Sequence, residues 1–233
     1  MIEPKDCYLR RNCKKYKEGK CEGVFCQKLF RVDSIYNNAG LSEYQKKHIG
    51  LLVDKEDEVC YTELYQISKN IQKFVTNGSI LYLWSKIPGN GKTSWALKFL
   101  QSYIDSRWYE VPVSTIALFI NVPKFFTDLK ASFSEQDSWI SHVRKYASTV
   151  ELVVWDDIGT KGLTEFEREM LLSIINARIE NRKANIFTSN CNPRELEDIL
   201  QPRLASRILS TAKKYEFRGK DKRYLMNEEV ITE

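Results

Sequence analysis

One run in the chain has the residue types and order that phosphate chemistry needs: Lys86-Ile87-Pro88-Gly89-Asn90-Gly91-Lys92-Thr93, followed by Ser94. Glycines at 89 and 91 let the backbone turn its N–H groups toward phosphate oxygens, and a helix beginning just after them adds the positive end of its dipole. Lys92 is placed to neutralise β- and γ-phosphates, and the Thr93 hydroxyl to ligate Mg²⁺. Pro88 through Ser94 is therefore the candidate nucleotide-binding stretch, with ATP and Mg²⁺ as its ligands. One position departs from the usual pattern, because Lys86 stands where the consensus has its first glycine.

A second constellation is Glu151-Leu152-Val153-Val154-Trp155-Asp156-Asp157, an apolar run ending in two acids. Such a strand delivers a carboxylate to the bound magnesium, which makes Asp156 the metal-side candidate. Asp157 occupies the position of a base that orients the attacking water, where the longer Glu is usual. Phe187-Thr188-Ser189-Asn190 ends another apolar run, so Asn190 reads either as a γ-phosphate sensor at the carboxyl edge of a sheet or as a turn residue. Arg203 and Arg207 stand one helical turn apart, as surface charges or as a pair of which one reaches a neighbouring subunit's nucleotide.

A third cluster is cysteine. Cys7, Cys13, Cys21 and Cys26 crowd the first thirty residues, while Cys60 and Cys191 stand alone. In a reducing compartment this clustering argues for a metal rather than disulfides, and a segment with so few apolar side chains needs the stability that a structural Zn²⁺ supplies. An iron–sulfur cluster would suit four thiolates as well.

These groups need scaffolding. Ile80–Trp84, Ile116–Asn121, Leu152–Trp155, Ile186–Ser189 and Tyr215–Phe217 read as strands, nearly continuous in apolar character and so suited to a parallel sheet buried on both faces. Between them, Trp95, Phe99, Leu100, Tyr103 and Ile104 recur at helical spacing, as do Phe166, Met170, Leu171, Ile174 and Ile175. Thr164 with Glu167 has capping-box spacing, and Asn192 before Pro193 marks another helix start. A further helix is expected over Thr62 to Val75. The outcome is an α/β fold, a parallel sheet flanked by helices, divided as residues 1–30 (cysteine module), 31–69 (connector) and 70–233 (nucleotide-binding domain).

The formal net charge of +5 is too small to demand a polyanionic partner, but residues 1–30 hold eight Lys or Arg against four acids. The segment from Pro123 to Ser148 mixes Phe125, Phe126, Phe133 and Trp139 with Lys124, Lys130, Arg144 and Lys145. Aromatic rings with cations suit single-stranded nucleic acid, although the phenylalanines at helical spacing equally suit a core. No apolar run approaches a membrane span, and a cytoplasmic location is the expectation.

Taken together, Pro88-Gly89-Asn90-Gly91-Lys92-Thr93, Val154-Trp155-Asp156-Asp157-Ile158-Gly159, Thr188-Ser189-Asn190 and Arg203-Leu204-Ala205-Ser206-Arg207 resemble the DnaC/DnaI family of helicase loaders within the AAA+ class. The resemblance spans about residues 70–225. It implies an ATPase that loads a hexameric replicative helicase onto single-stranded DNA and self-associates through its ATP sites. It also implies that Arg207 acts in trans, that Arg223 in Gly219-Lys220-Asp221-Lys222-Arg223 is a second γ-phosphate sensor, and that no full C-terminal helical lid follows. The N-terminal zinc module is expected to bind the helicase. Two other functions fit the same motifs: a transposition helper ATPase, and a nucleotide-gated adaptor with little turnover, for which the short Asp157 side chain is the relevant feature.

Overall fold

Four short apolar runs and one mostly charged one become five parallel strands: β1 (Ile80–Trp84), β2 (Ala117–Asn121), β3 (Leu152–Asp156), β4 (Ala184–Ser189) and β5 (Lys213–Glu216). The computed structural model describes residues 5, 7–10, 13–21, 26–47, 51–110, 114–131 and 138–223. The sheet order is β2-β3-β4-β1-β5, with all pairs parallel. Each strand falls within a residue or two of its expected range. Helices α1 (Lys14–Lys17), α2 (Gln27–Asn38), α3 (Glu43–Lys46), α4 (Glu58–Lys69) and α5 (Ile71–Thr76) precede β1. α6 (Lys92–Arg107), α7 (Val122–Ala131), α8 (Ser138–Tyr146), α9 (Glu165–Glu180), α10 (Pro193–Leu200) and α11 (Pro202–Leu209) follow it.

Because strand side chains alternate, the sheet separates two cores. Leu81, Leu83, Phe119, Val154 and Ile186 meet α2, α4, α5 and α6 on one face. Ile80, Tyr82, Leu118, Val153, Trp155 and Phe187 meet α7 to α11 on the other. The stripe on α6 is buried as expected, from Trp95 at 1% to Ile104 at 0% exposed. On α9 the stripe is narrower than expected, since Phe166 is 61% exposed. The capping boxes Thr164/Glu167 and Asn192/Glu195 both form. The helix expected over Thr62 to Val75 is two helices, broken at Asn70.

Residues ahead of β1 belong to the first core. Leu9, Val32, Ile35 and Tyr36 are buried in it, the Phe119 N–H donates to Ala39 O at 2.8 Å, and Gln101 Nε2 donates to Gln45 O at 2.8 Å. Lys46, 1% exposed, is held by Asp33 and Glu43. At the N-terminal ends of the strands Arg178, fully buried, donates to Asn185 Oδ1 at 2.6 Å, to Ala147 O and Val150 O at 2.8 Å each, and to Ala184 O at 2.5 Å. Burial pulls its pKa down to about 9. Among the described residues no helix is long and apolar enough to cross a membrane.

Candidate functional site

The phosphate loop leaves β1 at the carboxyl edge of the sheet and enters α6 at Lys92. Gly89 (φ 69°) and Gly91 (φ 107°) take the left-handed conformation that a side chain disfavours. Space agrees with conformation: a Cβ at Gly89 would lie 1.9 Å from Asp221 Oδ1, and one at Gly91 would lie 2.9 Å from the Tyr61 hydroxyl. Asn90 is fully buried and holds the loop from beneath, its Nδ2 donating to Ser85 Oγ at 2.6 Å and to Phe217 O at 3.3 Å. Lys86 turns outward, half-exposed, and pairs with Glu195 of α10. The residue in place of the consensus glycine therefore leaves the cradle open.

Lys92 is 6% exposed and donates to Ile87 O at 3.1 Å and to Asn90 Oδ1 at 3.3 Å. Burial brings its pKa down to about 8; Arg223 adds to the fall, while Asp157 and Asp156 oppose it. Asp156 ends β3 almost fully buried. Its Oδ1 accepts from Thr93 Oγ1 and Thr188 Oγ1, each at 2.8 Å, and its Oδ2 accepts from Asn121 Nδ2 at 3.3 Å. Burial, then the neighbouring Asp157, raises its pKa. The paired Thr93 hydroxyl and Asp156 carboxylate are the hard oxygen donors that Mg²⁺ takes beside phosphate. Asp157 has left-handed backbone (φ 58°), held by its N–H on Thr188 Oγ1 at 3.0 Å and by Asn121 Nδ2 on its Oδ2 at 3.3 Å.

Above these groups lies a cavity of about 340 Å³. Gly89, Gly91, Lys92, Thr93 and Ser94 line the side formed by the glycine-rich loop, and Leu51, Leu52, Tyr61 and Leu97 give it apolar walls. Asp157, Asn190 and Arg223 also line it, so these expected site residues converge with the loop. Arg207 does not: it is exposed on α11, outside the cavity lining. Arg203 lies 3.8 Å from Glu169 at the surface.

Sequence reasoning missed Asn121, Thr188, Tyr61 and Lys222. A signal existed for two of them. Asn121 and Thr188 are polar residues at the carboxyl ends of apolar strands, and Asn121 is in register with Asp156.

The mixed aromatic and basic segment divides on folding. Phe125, Phe126 and Leu129 of α7 are buried, so these rings are core and not a stacking platform; Phe133 lies outside the described residues. Lys124, Arg144 and Lys145 are exposed, while Lys130 reaches Glu167 at 3.0 Å. Cys7 lies within electrostatic reach of Cys13, Cys21 and Cys26, but the four thiols are free and, among the described residues, no three His, Cys, Asp or Glu side chains come together to hold a metal ion. The donor chemistry suits zinc; the arrangement is not a preformed ligand set. Cys26 instead caps α2, its sulfur accepting from the Leu29 N–H at 3.5 Å.

A parallel five-stranded sheet flanked by helices, with a glycine-rich loop after β1 and paired acids at the end of β3, defines an α/β domain with the layout of a nucleotide-binding fold. In sequence the chain is 28% identical over 160 residues to the replicative helicase loader DnaI of Bacillus subtilis (63% of this chain, 48% of that protein). It is 22% identical over 178 residues to the replicative helicase loader DnaC of Buchnera aphidicola (76% of this chain, 65% of that protein). The chain thus spans about half the length of the first relative and just under two thirds of the second. Among solved structures, the crystal structure of DnaI matches at TM-score 0.57 with 19% identity, covering 83% of this chain and all of that one. The replication initiator DnaA bound to AMPPCP and single-stranded DNA matches at 0.56 with 17% identity, covering 77% of this chain and 52% of that one. Both structural likenesses are of fold. No family model matches the chain. In sequence the chain is thus similar to proteins named as replicative helicase loaders, the resemblance its motifs indicated.

Proposed function

We propose that this protein binds and hydrolyses ATP with Mg²⁺ and uses it to load a hexameric replicative helicase onto single-stranded DNA. The observation that carries the reading is the meeting of Lys92 and Thr93 in one cavity, with Asp156 hydrogen-bonded to Thr93 behind them, in a chain whose relatives are named helicase loaders. Lys92 grips the phosphates, Thr93 and Asp156 hold the metal, Asp157 orients water, and Asn190 and Arg223 face the γ-phosphate. The exposed Arg207 serves a neighbouring subunit, and the exposed Phe166 on α9, which packs against α11, supports a contact there. Lys124, Arg144 and Lys145 are the DNA-facing cations, in keeping with the DnaA neighbour solved with single-stranded DNA. The four cysteines close on one Zn²⁺ and residues 1–30 contact the helicase; the support is their clustering around Cys7. Residues 70–233 form the ATPase domain.

ATP turnover of the full chain, measured with and without single-stranded DNA and helicase, tests the reading. Turnover stimulated by both is expected; none under any condition would favour the nucleotide-gated adaptor, in which the short Asp157 leaves water unactivated. Mixing Arg207→Ala with Asp156→Ala protein should restore activity above either alone, and failure to do so removes action in trans. Elemental analysis should find one zinc per chain, lost in Cys13→Ser with Cys26→Ser.

A further inference from the structure

Lys222 and Arg223 line the cavity, and the segment that leads to them, residues 218–221, is anchored by groups the nucleotide chemistry does not use. Asp57 stands at the N-cap of α4, yet its carboxylate does not cap the helix. Only 1% exposed, it accepts two successive backbone bonds instead, from the Arg218 N–H at 2.7 Å and the Gly219 N–H at 3.0 Å. Asp54 takes the next, from the Lys220 N–H at 3.1 Å. Position 219 has no room for a side chain, because a Cβ there would lie 2.6 Å from Asp57 Oδ2 and 2.8 Å from Asp54 Cβ.

Beyond this clamp the chain meets the site directly. The Lys222 N–H donates to Gly89 O of the phosphate loop at 3.0 Å, and Lys222 Nζ donates back to Leu52 O at 2.7 Å. Arg223 lines the cavity, near enough to Lys92 to lower its pKa. Three consecutive amides on two carboxylates make a charge-assisted, two-sided anchor. Arg223 follows it by so short a length of chain that the anchor decides where the guanidinium sits.

We propose that Asp57, assisted by Asp54, is the positioning residue for Arg223: it fixes residues 218–220 so that the guanidinium faces the outermost phosphate of a bound nucleotide, and so sets the preference for triphosphate over diphosphate. This rests on the nucleotide reading above and names the residues that make the site sensitive to the γ-phosphate. Since Asp54 and Asp57 continue from the Leu51–Leu52 wall into α4, the difference between ATP and ADP reaches the segment ahead of β1 through them.

The test is equilibrium titration of the full chain with Mg·ATP and Mg·ADP. The wild-type protein should prefer ATP, and Arg223→Ala should lower that preference roughly tenfold, the size of one charge-assisted bond. Asp57→Asn keeps the shape but turns an amide N–H₂ toward a backbone N–H. It should lower the preference by about the same factor, with ADP affinity unchanged within about twofold, and combining it with Arg223→Ala should add nothing. Asp54→Ala, which removes the Lys220 bond at a half-buried position, should act in the same direction to a smaller extent and carries the test if Asp57→Asn does not fold. Equal losses for ATP and ADP, an unchanged ratio, or a loss additive with Arg223→Ala would overturn the proposal. A wild-type protein that binds neither nucleotide would overturn the nucleotide reading itself.

Discussion

Lys92 and Arg178 are both cations buried against the same sheet, at opposite ends of its strands, and they are satisfied very differently. Arg178 directs its guanidinium at three backbone carbonyls and the Asn185 amide oxygen, none longer than 2.8 Å, with no carboxylate among them. Lys92 has two neutral acceptors at 3.1 and 3.3 Å, and the nearby acids Asp156, Asp157 and Asp221 are hydrogen-bonded elsewhere. A buried cation with a full set of acceptors is part of the framework. One with long, few bonds has donor capacity left for an anion. Burial depresses both pKa values, so only the partners tell the two roles apart.

The contrast breaks most visibly at Arg178. Arg178→Met should destabilise the protein by about 3–4 kcal/mol in chemical denaturation, because several buried acceptors lose their donor. A loss below about 1 kcal/mol would show that the network is replaceable by water or packing. Next in size, Lys92→Ala should lower ATP affinity by about a hundredfold or more in calorimetry, the loss of two charge-assisted contacts, while stability moves by less than about 1 kcal/mol. If Lys92→Ala unfolds the protein instead, the cation is structural and the comparison fails. A smaller effect is expected of Asn90→Ala, which removes the tie from the loop to Ser85 and Phe217 and should cost about 1–2 kcal/mol of stability.

The finest test is pH. Ligand-free Lys92 has its pKa lowered from 10.5 to about 8, so it is protonated below that value and loses its proton above it. Phosphate favours the charged form, hence ATP affinity should be flat with respect to Lys92 well below pH 8 and fall above it by up to tenfold per unit. Calorimetry in two buffers of different ionisation enthalpy should register about one proton taken up per ATP at pH 9. No proton uptake there would mean that Lys92 is not the group that titrates.

How much of this was legible in the sequence depends on distance along the chain. The phosphate loop, the acids after β3 and the two capping boxes are local patterns, set by neighbours a few residues away, and they fold as read. Asn121, Thr188 and Lys222 acquire their roles only because β3 lies between β2 and β4, and residues 218–222 beside Asp57; no local rule contains that pairing. Arg178 was hidden for a related reason. On a helix it reads as a surface charge, and its burial depends on four acceptors from two separate segments. The phenylalanines of α7 stayed ambiguous in sequence because helical spacing serves a core and a binding face alike.

The strand order also imposes a schedule. β1, which carries the phosphate loop, has only β4 and β5 as neighbours, and both lie far downstream: Ile80 pairs with Asn185 and Leu81 with Lys213. On a ribosome adding roughly 5–20 residues per second, β1 therefore emerges on the order of ten seconds before any strand it can pair with. During that interval β2 and β3 can find each other, while the apolar run Ile80–Trp84 has helices for company but no sheet. The proposed nucleotide site is thus among the last parts of the molecule to exist, and a chain interrupted before β4 holds the loop sequence without the edge that gives it shape.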